Sequence, residues 1–218
     1  SLRELHRLAL EDHQDLGSLY QAYLKAGCDL LGLSVGIVSR IQNQQYTVLA
    51  VDAEAGGIQV GDVFSLGDTY CSTVIHKQGT VALHHVGALE DMRSHPVYVG
   101  MALESYIAAP IHVAGKVFGT LNFSDPAIRP FPFTIEEIEF LELMAQSIGH
   151  AVERASLRRQ REKAVHEMEQ SVALFEGAFR FAAIGMAIVS PEGRWLRVNK
   201  ALCRLGGYSE EALLKIDF

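Results

Sequence analysis

Apolar residues recur every three or four positions over two long stretches of the chain, which is the spacing of a helix that buries one face. The first stretch covers residues 2–31, and Gly32 follows it as a favourable C-terminal stop. The second begins near Thr134 and continues with hardly a breaker to about Phe179. Strand-like sequence lies on both sides of this second helix. The pattern therefore predicts that the helix joins two domains.

Short apolar runs separated by turn residues occupy the rest of the chain, which is typical of antiparallel strands. The pattern predicts strands over residues 34–40, 46–51, 80–84, 105–113 and 116–123, a loop over 54–67, a short helix over 71–77, and irregular to helical structure over 88–101. Beyond the long helix it predicts strands over residues 184–189 and 195–198 and a helix over 199–205. Turns at residues 42–45 and at Ala114-Gly115 favour two hairpins. The predicted fold class is α+β, an antiparallel sheet flanked by helices.

The long helix carries apolar residues in steps that alternate three and four. They are Ile138, Leu141, Ala145, Ile148, Val152 and Ala155. This alternation is typical of a coiled-coil seam, so we predict a parallel homodimer with these side chains at its axis. A second seam is made of Val165, Met168, Val172 and Phe175. It begins 13 residues after Val152, whereas an unbroken heptad pattern needs about 14. We therefore expect a strained joint near residues 158–163.

Composition narrows the class of protein. The 49% hydrophobic and 21% charged residues are those of an ordinary soluble globular protein. A net charge of −7, with no basic block outside the helix, argues against a nucleic-acid partner. Three cysteines without a CxxC pair favour a reducing, cytoplasmic compartment. No apolar run reaches the roughly 18 residues that span a bilayer, so no membrane segment is expected here. We expect the 218 residues to be a fragment of a longer protein.

Four stretches between about residues 13 and 150 resemble, in order and spacing, those of a GAF domain. They are Gly67-Asp68-Thr69-Tyr70-Cys71, residues 105–111, Gly119-Thr120-Leu121-Asn122-Phe123 and the closing helix from Phe133. The resemblance implies a ligand pocket between the sheet and the segment that spans residues 84–101. Six residues are candidates to line it: Tyr70, Cys71, His95, Tyr98, Tyr106 and Asn122. Their rings and polar tips suit a small-molecule site, but the sequence does not identify the ligand.

The end of the chain, from about residue 175, resembles the start of a PAS domain. The matching stretches are residues 183–187, 191–195, 198–202 and 207–211. The expected division is a GAF domain with an N-terminal helix over residues 1–149, a coiled-coil signalling helix over 150–174, and the N-terminal part of a PAS domain over 175–218. The resemblance implies the sensory or regulatory region of a bacterial signal-transduction protein. Such proteins usually end in an output domain, often a diguanylate cyclase and sometimes a histidine kinase.

A covalent bilin is the sharpest cofactor hypothesis that the resemblance raises. GAF domains of the phytochrome type attach their chromophore through a Cys that precedes a His, and here Ser94-His95 stands at that place. A serine hydroxyl does not form the thioether bond, which needs a thiol nucleophile. Cys71 lies near the second cysteine of some of these photoreceptors, but a small buried thiol explains it as well. The cofactor is left as unknown, with a covalent bilin disfavoured.

Cyclic nucleotide binding is a second ligand hypothesis. GAF domains of phosphodiesterases carry Asn-Lys, then Phe, then an acidic pair. This chain offers Asn122-Phe123, Phe133 and Glu136-Glu137, without the lysine. Strand termination and helix capping explain the same residues. No metal ligands at usual spacing and no catalytic residues are found, so we expect no enzyme activity from this fragment. Three functions compete: a regulatory binding module, a photoreceptor, and a dimerisation scaffold without ligand.

Overall fold

The computed structural model describes residues 15–53 and 57–215. The predicted structure over residues 2–14, and that over residues 54–56, lies outside the described residues. The chain separates into two compact units, Ser1–Ser156 and Leu157–Phe218. Each unit is described below by itself.

The first unit contains six strands and most of the helices. Its elements are α1 Leu16–Leu31, β1 Val35–Gln42, β2 Gln45–Ala53, β3 Val63–Ser65, α2 Cys71–Lys77, β4 Val81–Leu83, α3 Glu90–Arg93, α4 Pro96–Met101, β5 Ser105–Val113, β6 Lys116–Asp125 and the start of α5 Ile135–Phe181. Within the described part of the chain, no helix is both long and apolar enough to cross a lipid bilayer.

The six strands form one antiparallel sheet in the order β3-β2-β1-β6-β5-β4. The β1–β2 turn uses Asn43 and Gln44 at φ 52° and 63°, and the β5–β6 turn uses Ala114 and Gly115 at φ 49° and 74°. Positive φ at both central residues is the geometry of a two-residue hairpin. Both predicted hairpins and the α+β class are thus confirmed. The predicted loop over residues 54–67 is corrected at its end, where β3 pairs with β2.

Capping residues fix where the two long helices start and stop. The Asp15 side chain accepts a hydrogen bond from the Ser18 amide (2.8 Å), and Gly32 ends α1 at φ 62°, as predicted. At the start of α5, Thr134 and Glu137 form a reciprocal capping box. The Thr134 amide donates to Glu137 (2.8 Å), and the Glu137 amide donates to the Thr134 hydroxyl (3.2 Å).

The core lies on both faces of the sheet. Along β5, Ile107, Ala109 and Ile111 face a cluster that includes residues of α1 and α5, while Tyr106 and Ala108 face a second cluster around α2. This alternation follows from the period of two in a strand. Burial of β5 on both faces explains why its sequence is nearly continuously apolar.

The residues expected at a dimer axis pack instead into the core of their own unit. Leu141, Ala145, Ile148 and Val152 are buried there, Ile138 packs partly against the same cluster, and Ala155 is half-buried. A side chain enclosed by the sheet of its own chain cannot also line an axis with a second chain. These positions are therefore corrected from a dimer seam to a core-facing helix surface. Steps of three and four suit both arrangements, and only burial distinguishes them.

Gly149 brings α5 into close contact with the sheet. A Cβ at this position would lie 2.2 Å from the carbonyl oxygen of His112, a backbone atom that cannot rotate away. Gly149→Ala is therefore expected to lower the free energy of unfolding by about 2–4 kcal/mol. Gly177→Ala in the same helix is the control, since nothing lies within 4 Å of its added Cβ, and it should be neutral or stabilising. Urea denaturation of both variants measures the difference, and equal effects would contradict this packing.

The second unit begins in α5 and continues with β7 Ala187–Val189, β8 Trp195–Val198, α6 Lys200–Gly206 and α7 Glu210–Leu213. β7 and β8 form an antiparallel hairpin. Asn199 joins hairpin and helix, since its Oδ1 accepts from the amides of Met186 (3.0 Å) and Leu202 (2.9 Å). Arg197 binds the carboxylate of Glu176 through both guanidinium nitrogens, one of them at 2.6 Å. The predicted strand over residues 184–189 is shorter than expected, and the other two elements lie within one residue of their predicted bounds.

Candidate functional site

A cavity of about 280 Å³ lies on the face of the sheet that packs against α2. Strands β1, β2, β5 and β6 form its floor, through residues such as Ile37, Tyr46 and Tyr106. The turn before α2 forms one wall. The segment between β4 and β5, residues 84–103, covers the cavity through α4 and the residues that follow it. We call this segment the lid.

Four of the six predicted pocket residues line this cavity: Tyr70, Cys71, Tyr106 and Asn122. In the sequence, Tyr70 and Cys71 lie far from Tyr106 and Asn122. The fold places them together because β5 and β6 are neighbours and α2 packs on both. Tyr70 extends from the wall towards the lid. Its ring meets the Tyr106 ring edge-on at 5.2 Å, and its hydroxyl donates to the Leu103 carbonyl (3.3 Å).

The other two predicted pocket residues, His95 and Tyr98, do not line the cavity. The Nδ1 of His95 accepts from the Val97 amide (3.3 Å) and caps α4, while its ring lies 4.8 Å from that of Tyr70. The Tyr98 hydroxyl donates to Glu104 at 2.8 Å, and neither residue lines the cavity. Both residues therefore shape the lid rather than the cavity surface.

Buried polar side chains form a hydrogen-bond network beside the cavity. The Cys71 sulfur lies 3.1 Å from the Tyr106 hydroxyl and accepts from the Thr120 hydroxyl (3.2 Å), which lies 2.8 Å from the hydroxyl of Ser39. The sequence-based prediction omits Ser39 and Thr120. A signal for Thr120 is present, since Thr120 and Asn122 are polar residues two positions apart among the apolar residues at the centre of β6. Period two places both on the same face.

Asn122 offers the clearest polar contact for a ligand. Its side-chain nitrogen donates to the Tyr46 hydroxyl (3.0 Å) and to the Ile37 carbonyl (3.4 Å). Among the described residues, no donor reaches its Oδ1. Because Asn122 lines the cavity and is only 4% exposed, this oxygen is an acceptor that a ligand donor can satisfy.

The thiol and phenol groups that line the cavity are neutral at neutral pH, and an acidic residue, Asp68, also lines it. Burial raises the pKa of the Cys71 thiol above its usual 9.0, and hydrogen bonds from Thr120 and Tyr106 only partly oppose this. Burial also raises the pKa of Tyr70 to about 12 and that of Tyr106 well above 10. Of the described residues that line the cavity, none is a lysine, arginine or histidine. The site is therefore apolar and slightly acidic.

The acidic pair of the cyclic nucleotide hypothesis has a structural role. Glu137 caps α5 with Thr134 and also accepts from Arg129 at 2.7 Å. Burial raises the pKa of Glu137, but the contacts with Arg129 and Thr134 outweigh this and lower it below 4.5. Arg129 in turn lies 4.0 Å above the ring of Phe133. None of these three residues lines the cavity, so they form a closed cluster at the helix start.

The described residues favour neither the covalent attachment of a bilin nor the binding of a metal ion. Ser94, which stands at the place of the chromophore cysteine, is an exposed residue at the end of α3. The raised pKa of Cys71 keeps it a thiol, which is a poor nucleophile. In the described residues, no group of three or more His, Cys, Asp and Glu side chains is placed to hold a metal ion.

Comparison with known proteins identifies the family. The GAF domain profile matches residues 15–152. Similar solved structures include the GAF domain of an Acinetobacter phosphoenolpyruvate-protein phosphotransferase (TM-score 0.60, 18% identity, 73% of this chain and 96% of that one). The phycocyanobilin-bound GAF domain of a cyanobacterial phytochrome is another (0.60, 15%, 72% and 96%). Free methionine-R-sulfoxide reductase of Neisseria meningitidis is a third (0.56, 14%, 71% and 88%). At these identities the likeness shows the fold alone.

A curated relative matches a short part of the chain. The probable diguanylate cyclase DgcE of Escherichia coli (strain K12) is 47% identical over 51 residues, which is 23% of this chain. The match covers only 5% of the length of that relative. The profile match covers more than half of the chain, and the solved GAF domains share its fold. The chain belongs to the GAF domain family.

Proposed function

We propose that this chain is the sensory input region of a bacterial signal-transduction protein, and that its cavity binds a small, uncharged and largely apolar molecule. The cavity of the first unit is the observation that carries the proposal. It has a mostly apolar lining, aromatic walls and one acceptor, Asn122 Oδ1, that no donor of the described residues reaches. A few convergent polar groups in an apolar cavity are typical of small-molecule sites.

The charge of the cavity selects against anionic ligands. An anion that enters loses its hydration and finds the Asp68 carboxylate rather than a cationic partner. This disfavours cyclic nucleotides. Size favours a compact ligand, because about 280 Å³ lies just below the roughly 300–1,000 Å³ range of ligand pockets. A ligand with an N–H or O–H group can donate to Asn122 Oδ1 while its apolar body contacts Tyr70 and Tyr106.

A thermal-shift panel tests this choice of ligand. Indole, phenol and nicotinamide represent neutral aromatic molecules, and cyclic AMP and cyclic GMP represent anionic ones. A neutral compound at about 100 times its Kd is expected to stabilise the protein by about 2.7 kcal/mol, and neither cyclic nucleotide should shift Tm. Asn122→Leu should weaken the response, while Gln45→Leu on an exposed position of β2 is the control. A shift with a cyclic nucleotide alone would contradict the proposal, and silence throughout would favour the dimerisation scaffold.

Transmission is proposed to run through a homodimer formed by the later part of α5. In the second unit, Val165, Met168, Val172 and Phe175 form a stripe at steps of three and four, and each is 46–70% exposed. We call these four residues the apolar stripe. An exposed apolar stripe with heptad spacing is suited to burial against a second copy. The apolar stripe replaces the seam predicted over residues 138–155 as the proposed dimer contact, because the side chains of that seam pack in the core of the first unit.

Charges beside the apolar stripe favour a parallel pair. With Val165 and Val172 at a positions, the e positions hold Glu162, Glu169 and Glu176, and the g positions hold Ala164, Ser171 and Ala178. In an antiparallel pair e faces e, so glutamates would oppose glutamates. In a parallel pair e faces g, which here is small and uncharged. Repulsion in the wrong orientation is a common device for selecting the right one.

The output of the whole protein is proposed to be diguanylate cyclase activity, with a histidine kinase as the alternative. The short match to the probable diguanylate cyclase DgcE supports the first. The elements β7, β8 and α6 support the proposal that a PAS domain starts near residue 175, because the resemblance to PAS sequences falls on them. A cytoplasmic location is proposed on the three cysteines, none of which forms a disulfide in the described chain. Cyclic-di-GMP formation from GTP by the full-length protein tests the output.

A further inference from the structure

The lid is anchored at its start by Val86, which is fully buried, but its helical part is held with little help from apolar burial. Its two helices, α3 and α4, contain no buried residue. Val99 and Met101 are exposed, and Val97 and Tyr98 pack only partly against the cluster below them. Elements with few buried contacts open at a low free-energy cost. The closed position of α3 and α4 therefore depends on the polar contacts of the lid.

One residue, Glu104, accepts three of these polar contacts, two of them through its carboxylate. Glu104 stands directly before β5, and its own amide donates to the Asp125 carbonyl at the end of β6 (3.0 Å). Its side-chain Oε2 accepts from the Gly87 amide (2.9 Å), and its Oε1 accepts from the Tyr98 hydroxyl (2.8 Å). Its carbonyl accepts from the Val86 amide (2.8 Å). A residue fixed to the sheet thus holds both the start of the lid and its last helix.

The surroundings of Glu104 favour its charged form. Burial raises the pKa of this carboxyl, but the donors Gly87 and Tyr98 and the charges of His85 and Arg93 outweigh it and lower the pKa below 4.5. The His85 ring lies 3.9 Å from Oε2, and Arg93 reaches the same corner by donating to the Gly87 carbonyl (2.7 Å). Hydrogen bonds to a charged acceptor are about twice as strong as neutral ones.

We propose that Glu104 is the latch of the lid: its carboxylate holds Gly87 and Tyr98 together, and release of these contacts opens the cavity to its ligand. The part of this inference that concerns ligand entry rests on the proposed function. The latch itself does not depend on the proposed function, because a residue of the cavity lining reports the opening of the lid. Cys71 lines the cavity and is only 3% exposed, so a thiol reagent reaches it only when the lid or the domain opens.

Three substitutions break the latch in different ways. Glu104→Gln keeps the shape and removes the charge, and Tyr98→Phe removes one donor. Gly87→Ala adds a Cβ that would lie 2.4 Å from the Tyr98 hydroxyl and 2.9 Å from Glu104 Oε1. Glu90→Gln is the control, since it makes the same chemical change on an exposed residue of α3.

The measurement is the rate at which 4,4′-dithiodipyridine modifies Cys71 in chains that carry Cys28→Ala and Cys203→Ala. Each latch variant is expected to react about ten times faster than the parent chain or more, which corresponds to the loss of one charge-assisted hydrogen bond. Glu90→Gln should stay within about twofold. Rates are divided by that of the urea-unfolded chain at the same pH, so that only access to the thiol differs.

Global unfolding is separated from lid opening by the dependence of the rate on low urea concentrations. Opening of the lid exposes little surface and gives a shallow dependence, whereas global unfolding gives a steep one. A tenfold faster reaction with a shallow dependence supports the latch. Parent-like rates in folded latch variants would overturn it, and so would a faster reaction that shows only the steep dependence.

Acid distinguishes a charged latch from a merely structural contact. Because the pKa of Glu104 is lowered in the folded state, its stabilising contribution is complete above its ordinary value of 4.5 and is lost as pH falls through the lowered value. The normalised Cys71 rate of the parent chain should therefore rise in acid, and that of Glu104→Gln should not. The latch variants can behave as expected while no compound of the thermal-shift panel binds. That result would support the latch and contradict the proposed class of ligand.

Discussion

Leu141→Ala is expected to lower the free energy of unfolding by about 2–5 kcal/mol, because Leu141 is fully buried between α5 and the sheet. The loss combines the transfer of the removed methyl groups into water with the cavity that they leave. A domain of this size is stable by only about 5–15 kcal/mol, so the variant approaches the limit of folding. Urea denaturation followed by circular dichroism measures the change.

Leu143→Ala is the matched control on the same helix. Leu143 is 42% exposed, so its truncation should change stability by less than about 0.5–1 kcal/mol. The pair also separates the two interpretations of the α5 pattern. If Leu141 belonged to a dimer seam, the measured loss would depend on protein concentration, because the apparent stability of a dimer rises with the logarithm of concentration. A loss that is independent of concentration is the result expected from core packing.

Val172→Glu is expected to convert the proposed dimer into a monomer at high micromolar concentration. In a parallel pair the two glutamates would meet at the axis without a cationic partner, and burial of unpaired charge is strongly unfavourable. We expect the dimer Kd to rise about 100-fold or more, which corresponds to about 2.7 kcal/mol. Val172 is 49% exposed, so the substitution should leave the fold of each chain unchanged.

Leu174→Glu is the control for this experiment. Leu174 is 76% exposed and lies two positions beyond Val172, outside the apolar stripe. Sedimentation velocity of the parent chain and both variants gives the oligomeric state, and circular dichroism checks the helix content. Equal behaviour of the two variants would contradict a dimer formed through the apolar stripe, and a parent chain that is purely monomeric would remove the dimer from the account.

Most of the sheet could be predicted from sequence because its signals are local. The nearly continuous apolar run of β5 and the turns at residues 42–45 and Ala114-Gly115 are set by neighbouring residues. β3 was missed because three residues carry no pattern of their own, and only pairing with β2 defines them. The core-facing role of Leu141, Ala145, Ile148 and Val152 does not follow from the sequence for a related reason. Spacing along α5 records which residues share a face, while the partner of that face depends on the rest of the fold.

The candidate site shows the same limit. Tyr70, Cys71, Tyr106 and Asn122 line the cavity, but hydrogen bonds that involve Glu104 and the backbone decide where Tyr98 and His95 point. Neither contact follows from residue type or spacing. The charge of the cavity could not be predicted from sequence either, because the numbers of lysines and arginines in the chain do not show which groups face the ligand.

The central claim is that the cavity beside Asn122 binds a small neutral ligand, and NMR titration of the ¹⁵N-labelled chain tests it most directly. The account predicts that the neutral compound with the largest thermal shift perturbs the Asn122 side-chain amide and the backbone amides of Thr69 and Cys71, which border the cavity. Cyclic GMP should leave these signals unchanged. Perturbations confined to residues outside the cavity, or cavity perturbations caused by cyclic GMP, would contradict the claim.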